Sequence, residues 1–166
     1  MVKKIQTHPI PPVFDENSRI LILGSFPSVK SREQGFFYGH PQNRFWRTLA
    51  GVFQDAQPIT VEEKRTFLLA HGIALWDVIA SCEITGSSDA SIKNVIANDL
   101  THILRASQIE RIYTNGATAH RLYCKYQQPQ IGREAICLPS TSPANAAWRQ
   151  DRLQTAWRIV NDLLDH

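Results

Sequence analysis

The sequence predicts an α/β protein with a mostly parallel sheet covered on both faces. Three observations point there. Short apolar runs alternate along the chain with segments of helical periodicity. The first run, Arg19 to Gly24 (R-I-L-I-L-G), is almost continuously apolar, as a strand buried on both faces must be. The chain has 166 residues, 43% of them apolar and 20% charged, which suffices for one core without staples.

The elements follow in order. Residues 1–18 hold His8-Pro9, Pro11-Pro12 and a polar run from Asp15 to Ser18. They read as an irregular lead-in to one domain over 19–166. Met1 to Lys4 is charged with no apolar stretch behind it, so no secretory leader is expected. After the first strand, Gln42 to Val52 places Phe45, Trp46, Leu49 and Val52 at helical spacing. Thr60 to Ala70 is a helix opened by a capping box, Thr60 with Glu63, and stopped by Gly72. Ile73 to Ile79 is the second strand, and residues 81–90 are polar and turn-rich. Ile92 to Ala106 reads as a helix, with Ile92, Val95, Ile96, Leu100, Ile103 and Leu104 on one side. Ile109 to Tyr113 is the third strand, Ala117 to Tyr126 a helix, and Glu134 to Leu138 the fourth strand. A last helix is expected from Ala144 to the end, turning Trp148, Leu153, Trp157, Val160 and Leu164 inward.

Charge and cysteine content narrow the function. Eighteen Lys plus Arg against fifteen Asp plus Glu leave +3, which permits a nucleic-acid partner without demanding one. Cys82, Cys124 and Cys137 are far apart and odd in number, which fits reduced thiols in the cytoplasm, or in a nucleus if there is one. The six histidines show no metal-binding spacing, so neither a metal nor a cofactor is expected. No apolar run approaches the ~20 residues of a membrane span.

In open parallel sheets, ligands bind beyond the carboxyl ends of the strands. Four segments should therefore meet on one rim: Gly24 to Ser28, Trp76-Asp77, Thr114 to Gly116, and Leu138 to Pro143. The stretch 24–47 is long for a connection in a compact domain, and such loops are commonly functional. One reading makes Ser25 a nucleophile with His40 as base and Asp77 as acid, although the G-x-S-x-G elbow is absent. The other reading is a pocket for a flat polar ring. Phe26 and Tyr38 would supply faces, and the carboxamides of Asn43 and Asn115 would read the edge. Lys30, Arg32, Arg44 and Arg47, with the hydroxyls of Ser28, Ser140, Thr141 and Ser142, would meet phosphate. Each residue also has a structural reading. Asn43 suits a helix cap, Asn115-Gly116 a turn, Tyr38 loop packing, His40 a loop hydrogen bond and Asp77 a turn cap.

The ordered set G-S-F-P-S (24–28), Y-G-H-P-Q-N-R-F-W (38–46), Y-T-N-G (113–116) and L-P-S-T-S-P-A-N-A (138–146) resembles the uracil-DNA glycosylase superfamily. It is most similar to the hypoxanthine-DNA (deoxyinosine) glycosylase branch. The resemblance implies a three-layer α/β/α sandwich around a four-stranded parallel sheet. It implies a monofunctional enzyme that flips a deaminated base out of DNA and cuts its N-glycosidic bond; the protein is expected to act as a monomer. Asn43 and Asn115 match catalytic and base-contacting asparagines. Gly24, Ser25, Phe26, Tyr38, His40 and Asp77 would surround the base. Ser28, Lys30, Arg44 and the loop Pro139, Ser140, Thr141, Ser142, Pro143 would hold DNA. Two departures bear on the substrate. Phe26 stands where uracil-cleaving relatives carry an Asp or Asn that positions water, and Leu138 stands where the strongest of them carry a histidine. The competing readings are a uracil or mismatch-specific glycosylase, a lesion-binding module without catalysis, and the Ser25 hydrolase.

Overall fold

The computed structural model describes residues 5–163. Its centre is a four-stranded, all-parallel sheet of β2 (Ile20–Gly24), β3 (Ile73–Asp77), β6 (Arg111–Asn115) and β7 (Ala135–Leu138), in the order β3-β2-β6-β7. β2 lies in the middle and all five of its residues are buried. Burying each such branched side chain contributes roughly 1.5–3 kcal/mol, which is why an uninterrupted apolar run settles here. Successive side chains point to opposite faces. Ile20 and Ile22 therefore join Tyr113 and Leu138 against α2 (Phe45–Phe53), α3 (Val61–Ala70) and α7 (Gln150–Trp157). Leu21 and Leu23 join Ile112 against α4 (Thr101–Ala106) and α5 (Ala117–Tyr126). Helices thus cover both faces of the sheet.

The expected capping box opens α3. Glu63 N–H donates to Thr60 Oγ1 at 3.1 Å, and Thr60 N–H donates to Glu63 Oε1 at 3.0 Å.

Three expectations are corrected. The lead-in is not wholly irregular: β1 (Ile5–Thr7) pairs with β4 (Ile79–Glu83), and Val13 bridges to Leu75. The segment read as a helix from Ile92 to Ala106 divides into β5 (Lys93–Ala97) and α4. The division has a local cause. Asn98 Nδ2 donates to the carbonyls of Asp77 and Ile79, which anchors the chain beyond β5, and Asp99 Oδ1 receives the Thr101 N–H at 2.9 Å in the turn that leads into α4. Strands β1, β4 and β5 form a second, antiparallel sheet in the order β1-β4-β5. The final helix begins at Gln150 rather than Ala144 and passes into a 3₁₀ turn at Arg158–Asn161; Leu164, assigned to its inner side, lies outside the described residues. The stretch 24–47 also contains a short helix, α1 (Val29–Gln34), capped by Ser28, and a single helical turn, α6 (Gln128–Ile131), follows α5.

Candidate active site

The parallel register sets Gly24 directly beside Asp77 and Asn115 beside Leu138. The ends of β2, β3 and β6, with the loop that follows β7, line one cavity of about 570 Å³, a size ordinary for a small-molecule site. Glycine at position 24 is obligatory. A Cβ there would lie 2.4 Å from Asp77 Oδ1 and 2.9 Å from the Tyr38 hydroxyl.

Asp77 is held from behind by His8, a residue that the sequence placed only in the irregular lead-in. Both side chains are buried, 3% and 5% exposed. The Ile10 N–H donates to His8 Nδ1 at 3.2 Å. A backbone N–H can only donate, so Nδ1 is the unprotonated nitrogen and Nε2 carries the hydrogen. Nε2 then donates to Asp77 Oδ2 at 2.7 Å. The pair retains one negative charge, and Oδ1 is the oxygen turned toward Gly24 and the cavity. The His8 ring is wedged by Phe26 edge-on at 5.8 Å and by Trp76 at 6.1 Å.

Tyr38 has a left-handed backbone (φ 51°), and its ring stacks on Phe45 with centroids 4.0 Å apart. Burial first, and then the neighbouring Asp77 carboxylate, push its phenol pKa upward, so the hydroxyl stays neutral.

The two asparagines belong to one hydrogen-bond chain. Phe45 N–H donates to Asn43 Oδ1 at 2.9 Å, which settles the orientation of that carboxamide. Thr141 Oγ1 donates to the same oxygen at 2.9 Å. The helix cap itself is Arg44, so Asn43 is not the cap its structural reading made it; it stands one residue earlier, closes a turn onto Phe45 N–H and also lines the cavity. Its oxygen is doubly engaged, and Nδ2 is the polar atom left for a ligand. Asn115 is used differently. Its Oδ1 receives the Thr141 N–H at 3.0 Å, and its Nδ2 donates to Thr141 Oγ1 at 3.0 Å and to the Tyr38 hydroxyl at 3.2 Å. Both of its amide hydrogens therefore have protein acceptors. Thr141, fully buried, connects the two asparagines.

The loop from Pro139 to Pro143 is braced. Trp157 Nε1 donates to the Pro139 carbonyl at 2.9 Å, Asn145 Nδ2 to the Ser140 carbonyl at 3.0 Å, and Ser142 N–H to Ser140 Oγ at 3.1 Å. Ser140, Thr141, Ser142 and Pro143 all line the cavity.

The structure also separates residues that sequence grouped together. The Ser25–His40–Asp77 triad is not assembled. Ser25 Oγ donates to Asp89 Oδ1 at 3.1 Å, His40 Nδ1 receives the Gln42 N–H at 3.1 Å, and Asp77 is paired with His8. Arg44 directs its guanidinium to the carbonyls of Trp148 and, at 3.1 Å, Asn145, so it ties a loop together. Lys30 is exposed beside Glu33 at 3.8 Å and lies outside the cavity lining; Arg47 is exposed on α2. Ser28 lines the cavity while its hydroxyl caps α1. Arg32 donates to the Gly86 carbonyl at 2.7 Å and lies over the Phe26 ring. Asp89 enters the cavity from the segment between β4 and β5, which sequence reading described only as polar. Among the described residues there is no cluster of three or more metal-ligating side chains, and no helix long and apolar enough to cross a membrane.

A cavity at a parallel sheet's carboxyl edge, with aromatic walls, the fixed Asp77 acceptor and the fixed Asn43 amide donor, suits a planar polar heterocycle. That is the architecture of a base-processing enzyme. The family model of the uracil DNA glycosylase superfamily matches residues 11–164, and the chain belongs to that superfamily. Two curated proteins named hypoxanthine DNA glycosylase are similar to it. The one from Methanosarcina acetivorans is 34% identical over 155 residues, covering 90% of this chain and 94% of the relative. The one from Methanosarcina barkeri is 38% identical over 140 residues, covering 81% and 85%. A solution NMR structure from M. acetivorans, described as a candidate uracil DNA glycosylase, superposes with a TM-score of 0.83 at 33% identity. It spans 98% of this chain and 100% of that one.

Proposed function

We propose that this protein is a monofunctional DNA glycosylase that removes hypoxanthine from deoxyinosine and leaves an abasic site. The observation that carries the reading is the Asn43 carboxamide, whose oxygen is held by Phe45 N–H and Thr141 Oγ1 and whose Nδ2 remains for the cavity. Cleavage of the glycosidic bond leaves negative charge on the departing base. A donor fixed in advance where that charge develops lowers the barrier without reorganisation. Asn43 is the catalytic donor in this reading. Asn115 acts through others, holding Thr141 and the Tyr38 hydroxyl in place.

Asp77 Oδ1 accepts the ring N–H of the flipped base. Hypoxanthine presents that N–H beside a carbonyl, and adenine has none, so the ordinary base is refused an acceptor it cannot satisfy. Uracil presents the same pair of groups, so Asp77 does not choose between the two. The choice of hypoxanthine rests on the two similar proteins named for it and on Phe26, whose ring can neither orient water nor accept a proton. The Pro139–Pro143 loop enters the duplex beside the extruded nucleotide, and its bracing lessens the ordering it must undergo on binding. The cavity is completed within one chain, which supports action as a monomer. The odd, unpaired cysteines support a reducing compartment.

The test is a panel of duplexes, each with one deoxyinosine, deoxyuridine, deoxyxanthosine or mismatched thymine, treated with alkali after incubation. Strand scission greatest at deoxyinosine is expected. Scission confined to deoxyuridine would reassign the substrate, and none at any lesion would remove the enzymatic reading.

A further inference from the structure

The base cavity adjoins a second hollow of about 570 Å³, lined in part by Gly116 and Ala117 at the start of α5 and by Trp148. The two hollows share Asp89, Asn115, Ser140, Ser142 and Ala144. The buried Phe37 and Asp77 border the first alone. A nucleotide with its base in the first hollow and its strand along the second therefore has its glycosidic bond and sugar at the shared boundary.

Asp89 is the carboxylate at that boundary. Its Oδ1 receives the Ser25 hydroxyl at 3.1 Å, and its Oδ2 has no hydrogen bond among the described residues. The loop that carries it is tied to α1, because Arg32 Nη2 donates to the Gly86 carbonyl at 2.7 Å and Val29 N–H donates to Ser87 Oγ at 2.9 Å. It is tied internally by Ser91, whose hydroxyl receives Thr85 N–H at 2.8 Å and donates to the Ser88 carbonyl at 2.7 Å. Enzymes that break glycosidic bonds place carboxylates against the sugar, where positive charge grows and where water must lose a proton.

We propose that Asp89 is a second catalytic residue, stabilising the sugar cation and accepting the proton of the attacking water. The proposal rests on reading this cavity as a glycosylase site. The C1′–N9 electron pair leaves with the base. The water oxygen forms the new C1′–O bond, and its proton passes to Asp89 Oδ2 and then to solvent. The base anion takes up a proton from solvent.

The surroundings of Asp89 suit that task. Asp89 is an exposed residue whose carboxylate faces the hollow; partial loss of hydration there raises its pKa, the Ser25 hydrogen bond lowers it, Asp77 on β3 raises it, Arg121 on α5 lowers it, and the net direction is upward. Tyr38 and the buried Cys82 also lie in its field, and burial pushes both of their pKa values upward, so neither adds a charge beside it at neutral pH. A carboxylate moved up in this way is a better base and loses its charge earlier as pH falls.

The experiment uses the full chain with enzyme in excess over a deoxyinosine duplex. It measures single-turnover release of hypoxanthine for wild type, Asp89→Asn and Asp89→Ala across a pH series from acid to neutral, and for Asp89→Ala with added formate. DNA affinity and thermal melting are measured in parallel. Both variants should bind DNA and melt like wild type while losing about 10²–10⁴-fold in rate. The wild-type decline should begin at lower pH in Asp89→Asn, where the only carboxylate required is Asp77, and formate should restore part of the Asp89→Ala rate. An Asp89→Asn rate equal to wild type overturns the proposal, as does a loss with the acid decline unshifted and no rescue by formate. Wild type inert on deoxyinosine overturns the glycosylase reading as well, so the two failures are told apart.

Discussion

Thr141→Val keeps the shape of the side chain and deletes the hydroxyl that couples the two asparagines. Thr141 is completely buried; its Oγ1 receives Asn115 Nδ2 at 3.0 Å and donates to Asn43 Oδ1 at 2.9 Å. Each asparagine keeps another partner, Tyr38 for Asn115 and Phe45 N–H for Asn43, so neither amide is orphaned entirely. The substitution should therefore cost about 1–3 kcal/mol of stability, the range for leaving a buried polar group short of a bond. Asn43→Ala removes the donor itself and should cost about 2.7–4 kcal/mol of transition-state stabilisation, about 10²–10³-fold in rate. Thr141→Val should fall between wild type and Asn43→Ala, because it only loosens the carboxamide. The decisive arm is the double variant. If Thr141 acts through Asn43, adding Thr141→Val to Asn43→Ala should slow excision no further. Single-turnover rates of the four proteins on one deoxyinosine duplex complete the cycle. Rate losses that simply add would refute the coupling and leave Thr141 an independent role.

Gly24→Ala should abolish excision and lower stability by about 1–3 kcal/mol, since its Cβ would meet Asp77 Oδ1 at 2.4 Å; thermal melting with the activity assay checks both. His8→Ala removes a hydrogen bond to a buried carboxylate and should cost about 1.5–3 kcal/mol in denaturant unfolding; an unchanged midpoint would contradict the assigned tautomer and pairing. Thr60→Ala breaks the capping box of α3, far from the cavity lining, and should cost about 0.5–2 kcal/mol with excision rate unaltered in the folded protein. Binding to a duplex should weaken as salt rises, with a linear dependence of log affinity on log salt; a flat response would argue against phosphate contact.

The four parallel strands and the convergence of Gly24, Asp77, Asn115 and Leu138 were readable in the sequence. A strand buried on both faces must be a contiguous apolar run, and a parallel sheet brings all such ends to one edge. The second sheet was not readable. Ile92, Val95 and Ile96 satisfy a helical period as well as a strand, and Ile96 proves 65% exposed, on no buried face at all. His8 was invisible because its partner lies 69 positions away and its only local signal is a following proline. Asp89 lay in a polar stretch where its carboxylate looked like any solvated charge. Arg44 illustrates the opposite error. A basic side chain near a rim and one that ties loop carbonyls together look identical until the carbonyls of Asn145 and Trp148 are in place.

The central claim is that a base swung into this cavity departs because Asn43 Nδ2 donates to it. Its most direct test is the quantity of free hypoxanthine released from a single deoxyinosine duplex in one turnover, by wild type and by Asn43→Ala at matched DNA occupancy. The account predicts release by wild type and a rate about 10²–10³-fold lower in the variant. Equal release by both proteins would contradict it.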